Sequence, residues 1–335
     1  MICNVLKDRN NLAMEERALP IPQPGQVRVK TVLAGICGSD IHALHGLQPS
    51  LSFPTVMGHE LVGVIDAIAS PNSESEFHVG DRVVIDPSYR CGTCELCDSG
   101  KENICRELQV LGVHCDGGFA EYFICNIDML HRIPESVRFE EAIFAEPLSI
   151  AVHAISRITS LQRRKAAIIG AGPIGLALLI AAKELFDEVI VFELLENRKS
   201  VARIIGADLV LDSVDADYRK EDIDVVFDTV SIASTVDLTE KIVRRGGEVI
   251  IVGMAKPDIG IHLLPILKKE LSVRGTRMTC RENFSSALDL LARTDSEKIQ
   301  AIITGYWSLS DAIEAIHHVE SHTEISIKEV LDCRR

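Results

Sequence analysis

Ala166-Ala167-Ile168-Ile169-Gly170-Ala171-Gly172-Pro173-Ile174-Gly175 is the stretch that decides the fold. Four apolar residues read as a buried strand, the glycines break it, and from Ile174 the chain resumes as an apolar helix. In that setting GxGxxG is a dinucleotide fingerprint. Gly170 permits the tight turn, Gly172 lets the backbone approach a pyrophosphate, and Gly175 lets helix and strand pack closely, while the helix start at Pro173 and Ile174 offers its free N–H groups to the anion. Residues 188–192 read as the next strand of a βαβ unit, and Glu193 follows it, eighteen residues past Gly175. A carboxylate there accepts ribose hydroxyls and repels a 2'-phosphate, so NAD is favoured over NADP. Arg198, five residues on, completes the cofactor-binding candidates. The competing reading is a glycine-rich turn in a packed α/β domain that holds no cofactor.

Outward from this unit, residues 209–211, 224–227 and 248–252 read as further strands with helix-like segments between them, which makes a doubly wound parallel sheet. Upstream the texture changes. Residues 27–32 alternate apolar and polar, and short apolar runs at 61–65, 82–85 and 119–124 are separated by turns rich in Gly, Pro and Asp, so the first region is β-rich. Beyond about residue 280 come amphipathic helical stretches at 284–292 and 310–319 and a final strand at 325–331. The fold class is therefore α/β. A length of 335 residues with 47% hydrophobic content favours two domains. No apolar run reaches the roughly 20 residues of a membrane span, and Lys7 and Asp8 interrupt the start before a signal-like core develops. The expected compartment is the cytoplasm, with no membrane partner. A formal net charge of -14 repels phosphate backbones, so nucleic acid is not an expected partner.

Three of the ten cysteines, Cys91, Cys94 and Cys97, form CxxCxxC, and Cys105 follows after seven residues. Such spacing lets four thiolates reach one tetrahedral ion and leaves no position open, which is the pattern of a structural zinc. An iron–sulfur cluster and unrelated buried thiols are the alternatives. Cys37, in Gly35-Ile36-Cys37-Gly38-Ser39-Asp40-Ile41-His42, and His59-Glu60, after Gly58, offer a second donor set suited to zinc with one position left for water or substrate. Spacing alone does not show that they converge; a buried thiol and a hydrogen-bonded core histidine fit the same residues.

GICGSDIH (35–42), PTVMGHE (54–60), VGDRVV (79–84), CGTCELC (91–97) and GAGPIG (170–175), in this order, resemble the zinc-containing medium-chain dehydrogenases over essentially the whole chain. Glu146-Pro147 makes the sequence more similar to the polyol, L-threonine and sugar-acid branch than to ethanol dehydrogenases, which place a third ligand cysteine there. The resemblance implies Cys37 and His59 as ligands of a catalytic zinc, with Glu60 and Glu146 sharing the remaining protein coordination, and a structural zinc on the four-cysteine lobe. That makes two zinc ions per chain. It implies that Ser39 takes the proton of the alcohol and passes it through the cofactor ribose to His42; a helix-capping serine and a surface histidine are the plainer readings. It further implies a GroES-like β-rich catalytic domain at 1–147 and 282–335, with the zinc lobe at about 90–106, and an inserted Rossmann NAD-binding domain at 148–281. The active site is expected in the cleft between them, in a homodimer or homotetramer.

For the substrate, Gly112-Val113-His114 and Asp116-Gly117-Gly118-Phe119 resemble the GVHxDGGF segment of bacterial L-galactonate 5-dehydrogenases, L-gulonate 5-dehydrogenases and starvation-sensing-type dehydrogenases. Arg277 lies in a segment that in the family runs past the nicotinamide, and its fork suits a carboxylate. His114 and Arg277 are thus substrate candidates; a loop histidine bonded to backbone and an interdomain ion pair are the alternatives. Thr55, where an Arg is common before the GHE turn, and Gly305, where a His often follows Ile-Thr, depart from the family pattern. The expected activity is hydride transfer from a secondary alcohol of a hexonate, L-gulonate or L-galactonate, to NAD, with polyols, polyol phosphates or L-threonine as alternative substrates. A non-enzymatic NAD-binding redox regulator is the reading from another class.

Overall fold

A computed structural model describes residues 1–48, 50–69, 76–212, 218, 221–254 and 259–335. The chain forms two compact units, Met1–Glu146 with Cys280–Arg335, and Pro147–Thr279. Among the described residues no helix is long and apolar enough to cross a membrane.

In the second unit the strands Lys165–Ile169, Glu188–Phe192, Leu209–Leu211, Ile223–Asp228, Val243–Ile251 and Ser272–Gly275 build one sheet, in the spatial order third, second, first, fourth, fifth, sixth. All its pairings are parallel. A parallel sheet has both faces covered, which is why the central strands read as unbroken apolar runs. Ala167, Ile169, Ile190, Phe192, Val226 and Ile242 form its core. The last strand escapes a sequence reading because it carries Arg274, whose charge is absorbed by Glu248 at 2.6 Å. The helix Pro173–Lys183 opens with Pro173 in its first turn, after Gly172 as its cap residue, where proline's missing N–H costs nothing.

The first unit is built on a seven-stranded sheet. Its path runs Leu130–Arg132, Arg82–Ile85, Glu60–Ile68, Gln26–Gly35, Lys328–Asp332, Ile303–Ser308, and Tyr122–Asn126 also pairs with Gln26–Gly35. The strand Lys328–Asp332 is thus inserted between an antiparallel neighbour and a parallel one. Val5, Leu6, Leu44, Met57, Leu61, Phe119 and Leu331 are among the residues of its core.

Several strands run longer than the sequence reading, Val243–Ile251, Glu60–Ile68 and Gln26–Gly35 among them, and two others start later for a visible hydrogen-bonding reason. Residues 117–119 do not join the sheet, because the N–H groups of Gly117, Gly118 and Phe119 donate to the carbonyls of Val56, Gly58 and Met57. Regular pairing begins only at Tyr122. At the other end, the N–H groups of Ile325 and Ser326 are taken by the carbonyl of His322, so the chain is still closing a helix end there and the strand starts at Lys328.

Candidate active site

The helix Gly38–Leu44 follows directly from the long strand Gln26–Gly35 and has Cys37 as its cap residue. The Cys37 N–H donates to Asp40 Oδ2 at 2.9 Å, satisfying one of the donors that a helix start leaves open. Asp40 is buried, and its other oxygen stands 3.6 Å from His59 Nδ1. On the far side of the ring, Ser39 Oγ lies 3.4 Å from His59 Nε2. One short helix therefore presents Cys37, Ser39 and Asp40 to a histidine that arrives on a separate turn.

Cys37, His59 and Glu60 each offer a ligand atom, and these atoms all lie within 4.8 Å of one another. Zinc–ligand bonds of about 2.0–2.3 Å arranged tetrahedrally put ligand atoms about 3.3–3.8 Å apart, so small side-chain rotations bring the trio onto one ion. A thiolate, an imidazole and a carboxylate are the right donors, and three protein ligands leave a fourth position for water or substrate. Glu146, in the first turn of the helix Ala145–Ser156, stands outside this trio but close to it. Burial, and then the charge of Glu60, push the Glu146 carboxyl up to about 7, against the pull of His59 and Lys328. For His59, burial opposes the charged ring, yet Asp40 and Cys37 outweigh it and hold the imidazole well above its ordinary value.

Lys328 was not among the residues the sequence singled out. Its ammonium is buried, pairs with Glu60 Oε2, and donates to the carbonyl of Ile36 at 2.8 Å. Gly35 makes the room: a Cβ there would stand 2.3 Å from Glu60 Oε2 and 3.0 Å from the Lys328 side chain. The signal in the sequence is a pair of adjacent charges, Lys328 and Glu329, directly before the apolar Val330 and Leu331.

The Gly58–Glu60 turn is held by the segment 112–119. Cβ atoms at Gly112 and Gly117 would lie 2.5 and 2.2 Å from the Gly58 carbonyl oxygen, and one at Gly58 would lie 2.2 Å from the Phe119 ring. Asp116 Oδ1 accepts the Val56 N–H at 2.8 Å. His114 Nδ1 accepts the Val110 N–H at 2.9 Å, so the ring is engaged in its own turn. Thus the residues around His114 buttress the turn that carries His59 and Glu60. Thr55, the departure noted in the sequence, is buried next to this turn.

The four cysteines of the lobe are brought together as free thiols. Their sulfur separations are 3.9 Å for Cys91–Cys97, 3.6 Å for Cys94–Cys97, 3.9 Å for Cys94–Cys105 and 3.4 Å for Cys91–Cys105. Those values match the edge of a tetrahedron with zinc–sulfur bonds of about 2.3 Å and far exceed a disulfide bond of about 2.05 Å. The environments are unequal: the Thr93 N–H lowers the Cys91 thiol to about 6, and burial pushes Cys97 up to about 12.

In the second unit, the fingerprint glycines have separate physical reasons. Gly170 has φ +92, and a Cβ on Gly175 would stand 1.9 Å from the Gly170 carbonyl oxygen. At Gly172 the nearest neighbour of a Cβ would be Arg198 Nη1 at 3.8 Å, so the turn is open and a guanidinium hangs beside it. Glu193 Oε2 accepts the Ala171 N–H at 2.8 Å, and Oε1 accepts those of Leu194 and Leu195 at 2.6 and 2.9 Å. The carboxylate thus clamps the glycine turn, with one of its roughly four acceptor positions remaining. Arg277 is exposed in the segment that follows Ser272–Gly275, and His42 is exposed on the first unit's short helix.

A cysteine–histidine–carboxylate trio and a four-cysteine cluster in the first unit, and a strand–glycine–helix turn in the second, are the features of a metal-dependent dehydrogenase. The chain matches the alcohol dehydrogenase GroES-like domain over residues 23–135 and the zinc-binding dehydrogenase domain over residues 173–293. It belongs to the zinc-type medium-chain alcohol dehydrogenases, in their polyol and sugar-acid branch. It is 31% identical to the starvation-sensing protein RspB of Escherichia coli K12, over 95% of this chain and 96% of that protein. It is 31% identical to the sorbitol dehydrogenase of Halalkalibacterium halodurans over 95% of each, and to the L-galactonate-5-dehydrogenase of Escherichia coli K12 over 87% and 86%. Among solved structures, an alcohol dehydrogenase, rspB, from Escherichia coli CFT073, in complex with NADH, shares 30% identity at a TM-score of 0.90 over 99% of each chain. A zinc-binding dehydrogenase from Sinorhizobium meliloti 1021 bound to NADP shares 27% at 0.90, over 99% and 98%. Neither fold nor relatives support a non-enzymatic regulator.

Because Gly117 has no room for a methyl group against Gly58, Gly117→Ala is expected to displace His59 and Glu60 and lower turnover by about tenfold or more. Binding of the reduced nicotinamide, followed by its fluorescence, is expected to stay unchanged. Full turnover in the variant would show that this contact does not set the turn.

Proposed function

We propose that the protein oxidises a secondary hydroxyl of a hexonate, such as L-gulonate or L-galactonate, to a keto acid with NAD as hydride acceptor. The observation that carries the chemistry is the convergence of Cys37, His59 and Glu60 within 4.8 Å. When bound there, zinc supplies a Lewis acid that makes the substrate hydroxyl acidic near neutral pH. Cys37 and His59 hold the ion, and Glu60 and Glu146 supply the remaining carboxylate coordination. Within this set Lys328 pairs with Glu60 Oε2. Ser39, beside His59, would accept the hydroxyl proton as it gives up its own, and His42, exposed three residues further along the same helix, would carry the displaced proton to solvent.

The four-cysteine lobe holds a second, structural zinc. Two zinc ions per chain are therefore expected by atomic absorption, with chelation removing the ion at Cys37 first. Cys94→Ser should impair folding, whereas Cys37→Ser should leave a folded protein without turnover. One ion per active chain would sink this arrangement.

Support for NAD comes from Glu193 at the end of the second strand and from the NADH held by the E. coli rspB structure; Arg198, beside Gly172, we assign to the pyrophosphate. Because Glu193 also clamps the glycine turn, Glu193→Ala should both weaken NAD binding and relax the discrimination against NADP. Equal catalytic efficiency with NADP in the unmodified enzyme would refute the assignment.

Support for a sugar acid comes from the likeness to an L-galactonate-5-dehydrogenase and from Arg277, whose exposed guanidinium suits a carboxylate. His114 is assigned to the turn rather than to the substrate. An exposed apolar row, Leu263, Leu264 and Leu267 on one helix, supports a homodimer or homotetramer. A charge-assisted bond is worth about 1.5–3 kcal/mol, so Arg277→Ala should lower kcat/KM for an aldonate by about ten- to a hundredfold and that for the matching neutral polyol far less. Comparable losses would move Arg277 to another task, and a preference of the unmodified enzyme for polyols such as sorbitol would replace the sugar-acid reading by the polyol one.

A further inference from the structure

The strand Lys328–Asp332 carries two adjacent charged side chains, both almost completely buried. Alternation sends them to opposite faces of the sheet. Lys328 meets Glu60, while Glu329 meets only neutral donors. Its Oε1 accepts from Thr304 Oγ1 at 2.8 Å and Ser326 Oγ at 3.0 Å, and its Oε2 accepts from Trp307 Nε1 at 2.8 Å. Among the described residues no ion pair joins it.

Gly305 completes this box. A Cβ at 305 would stand 2.0 Å from Glu329 Oε2 and 3.3 Å from Trp307 Nε1. Any side chain at this position would collide with the carboxylate, so glycine at 305 and glutamate at 329 form one coupled feature. The register between the strands Ile303–Ser308 and Lys328–Asp332 shifts at this point, with Ile303 opposite Lys328 and Gly305 opposite Glu329. Thr304, the extra residue, accepts the Ile327 N–H at 2.9 Å with the same hydroxyl that serves Glu329.

A buried carboxylate without a cation is expensive, and an apolar residue of similar size would serve stability better. What the carboxylate does supply is register. Its three donors sit at separate positions on both sides of the irregular pairing, so a slip of one residue would break them together. The same slip would turn Lys328 to the wrong face and leave Glu60 without its partner. The Glu329 carbonyl also accepts the Ile36 N–H at 3.0 Å, one residue before Cys37. We propose that Glu329, with Gly305 and Trp307, is a positioning residue that locks the strand register in which Lys328 reaches Glu60 beside the Cys37–His59 site. Its consequence for turnover rests on the function proposed above; its structural part does not.

Trp307 is the single tryptophan of the chain, so its fluorescence reports the box directly. Gly305→Ala should shift that emission and lower the unfolding midpoint, yet be tolerated when Glu329→Val has emptied the space. Equal damage in both backgrounds would overturn the coupling. In the metal-free protein, Glu329→Gln and Glu60→Gln should be non-additive by more than about threefold in the folding equilibrium constant, since both act through Lys328. Lys328→Met replaces Glu60→Gln if the latter does not fold. Additivity would reduce Glu329 to a local packing role. In the cobalt-substituted enzyme, Glu329→Gln should shift the visible absorption bands and lower kcat about tenfold, with KM for the cofactor unchanged. Unaltered bands together with unaltered kcat would refute the positioning role. Absence of cobalt binding at Cys37 and His59 in the unmodified protein would instead refute the proposed catalytic function, while the first two measurements still decide on Glu329.

Discussion

Lys328 and Glu60 are sealed together in the interior of the first unit, where Cys37, Asp40, His59 and Glu146 crowd the same small volume. Burying so many ionisable groups is unfavourable unless each is paired, hydrogen-bonded or neutral. Asp40 is held by the helix start, Glu60 by the lysine, and Glu146 is driven toward its protonated form by burial and by Glu60. The arrangement brings the Cys37 and Glu60 donors together with a histidine ring that is flanked by Asp40 and Ser39.

The scaffold around this interior is built from close approaches that only glycine allows. Gly35 admits Glu60 and Lys328, Gly112 and Gly117 press on the Gly58 carbonyl, and Gly305 admits Glu329. The turn that carries His59 and Glu60 is therefore placed by backbone contact from behind, which limits how far it can drift. The same economy appears in the second unit, where Glu193 holds the fingerprint turn through the Ala171 N–H and is itself fixed by the N–H groups of Leu194 and Leu195.

Local chemistry was legible in the sequence and long-range chemistry was not. The GAGPIG turn, the four-cysteine lobe and most strands announce themselves within windows of fifteen residues, because turn geometry, ligand spacing and apolar periodicity are short-range properties. The convergence of Cys37 with His59 and Glu60 needed the resemblance, and Lys328 escaped altogether, since nothing near it in the chain hints at a partner 268 residues away. The segment 112–119 reads in the sequence as a motif that points to the substrate. Its glycines serve the backbone of a neighbouring turn, and that role is visible only when the two segments are laid together. The strand Ser272–Gly275 was missed for the opposite reason: its one charged residue is neutralised by a partner on the next strand.

The insertion of residues 328–332 into the middle of a sheet has a bearing on how the protein is made. Ile36 and Lys328 are 292 positions apart, and ribosomes add about 5–20 residues per second, so the strand ending at Gly35 waits roughly 15–60 s for its neighbour to emerge. During that interval the unit Pro147–Thr279, whose sheet needs no residue from outside it, can fold on its own, while Glu60 has no lysine to meet. The Lys328–Glu60 pair is thus completed late in the life of each molecule, and nascent chains stalled before residue 328 would carry a half-built sheet with an exposed, unpaired strand edge, the kind of surface that chaperones hold and proteases cut.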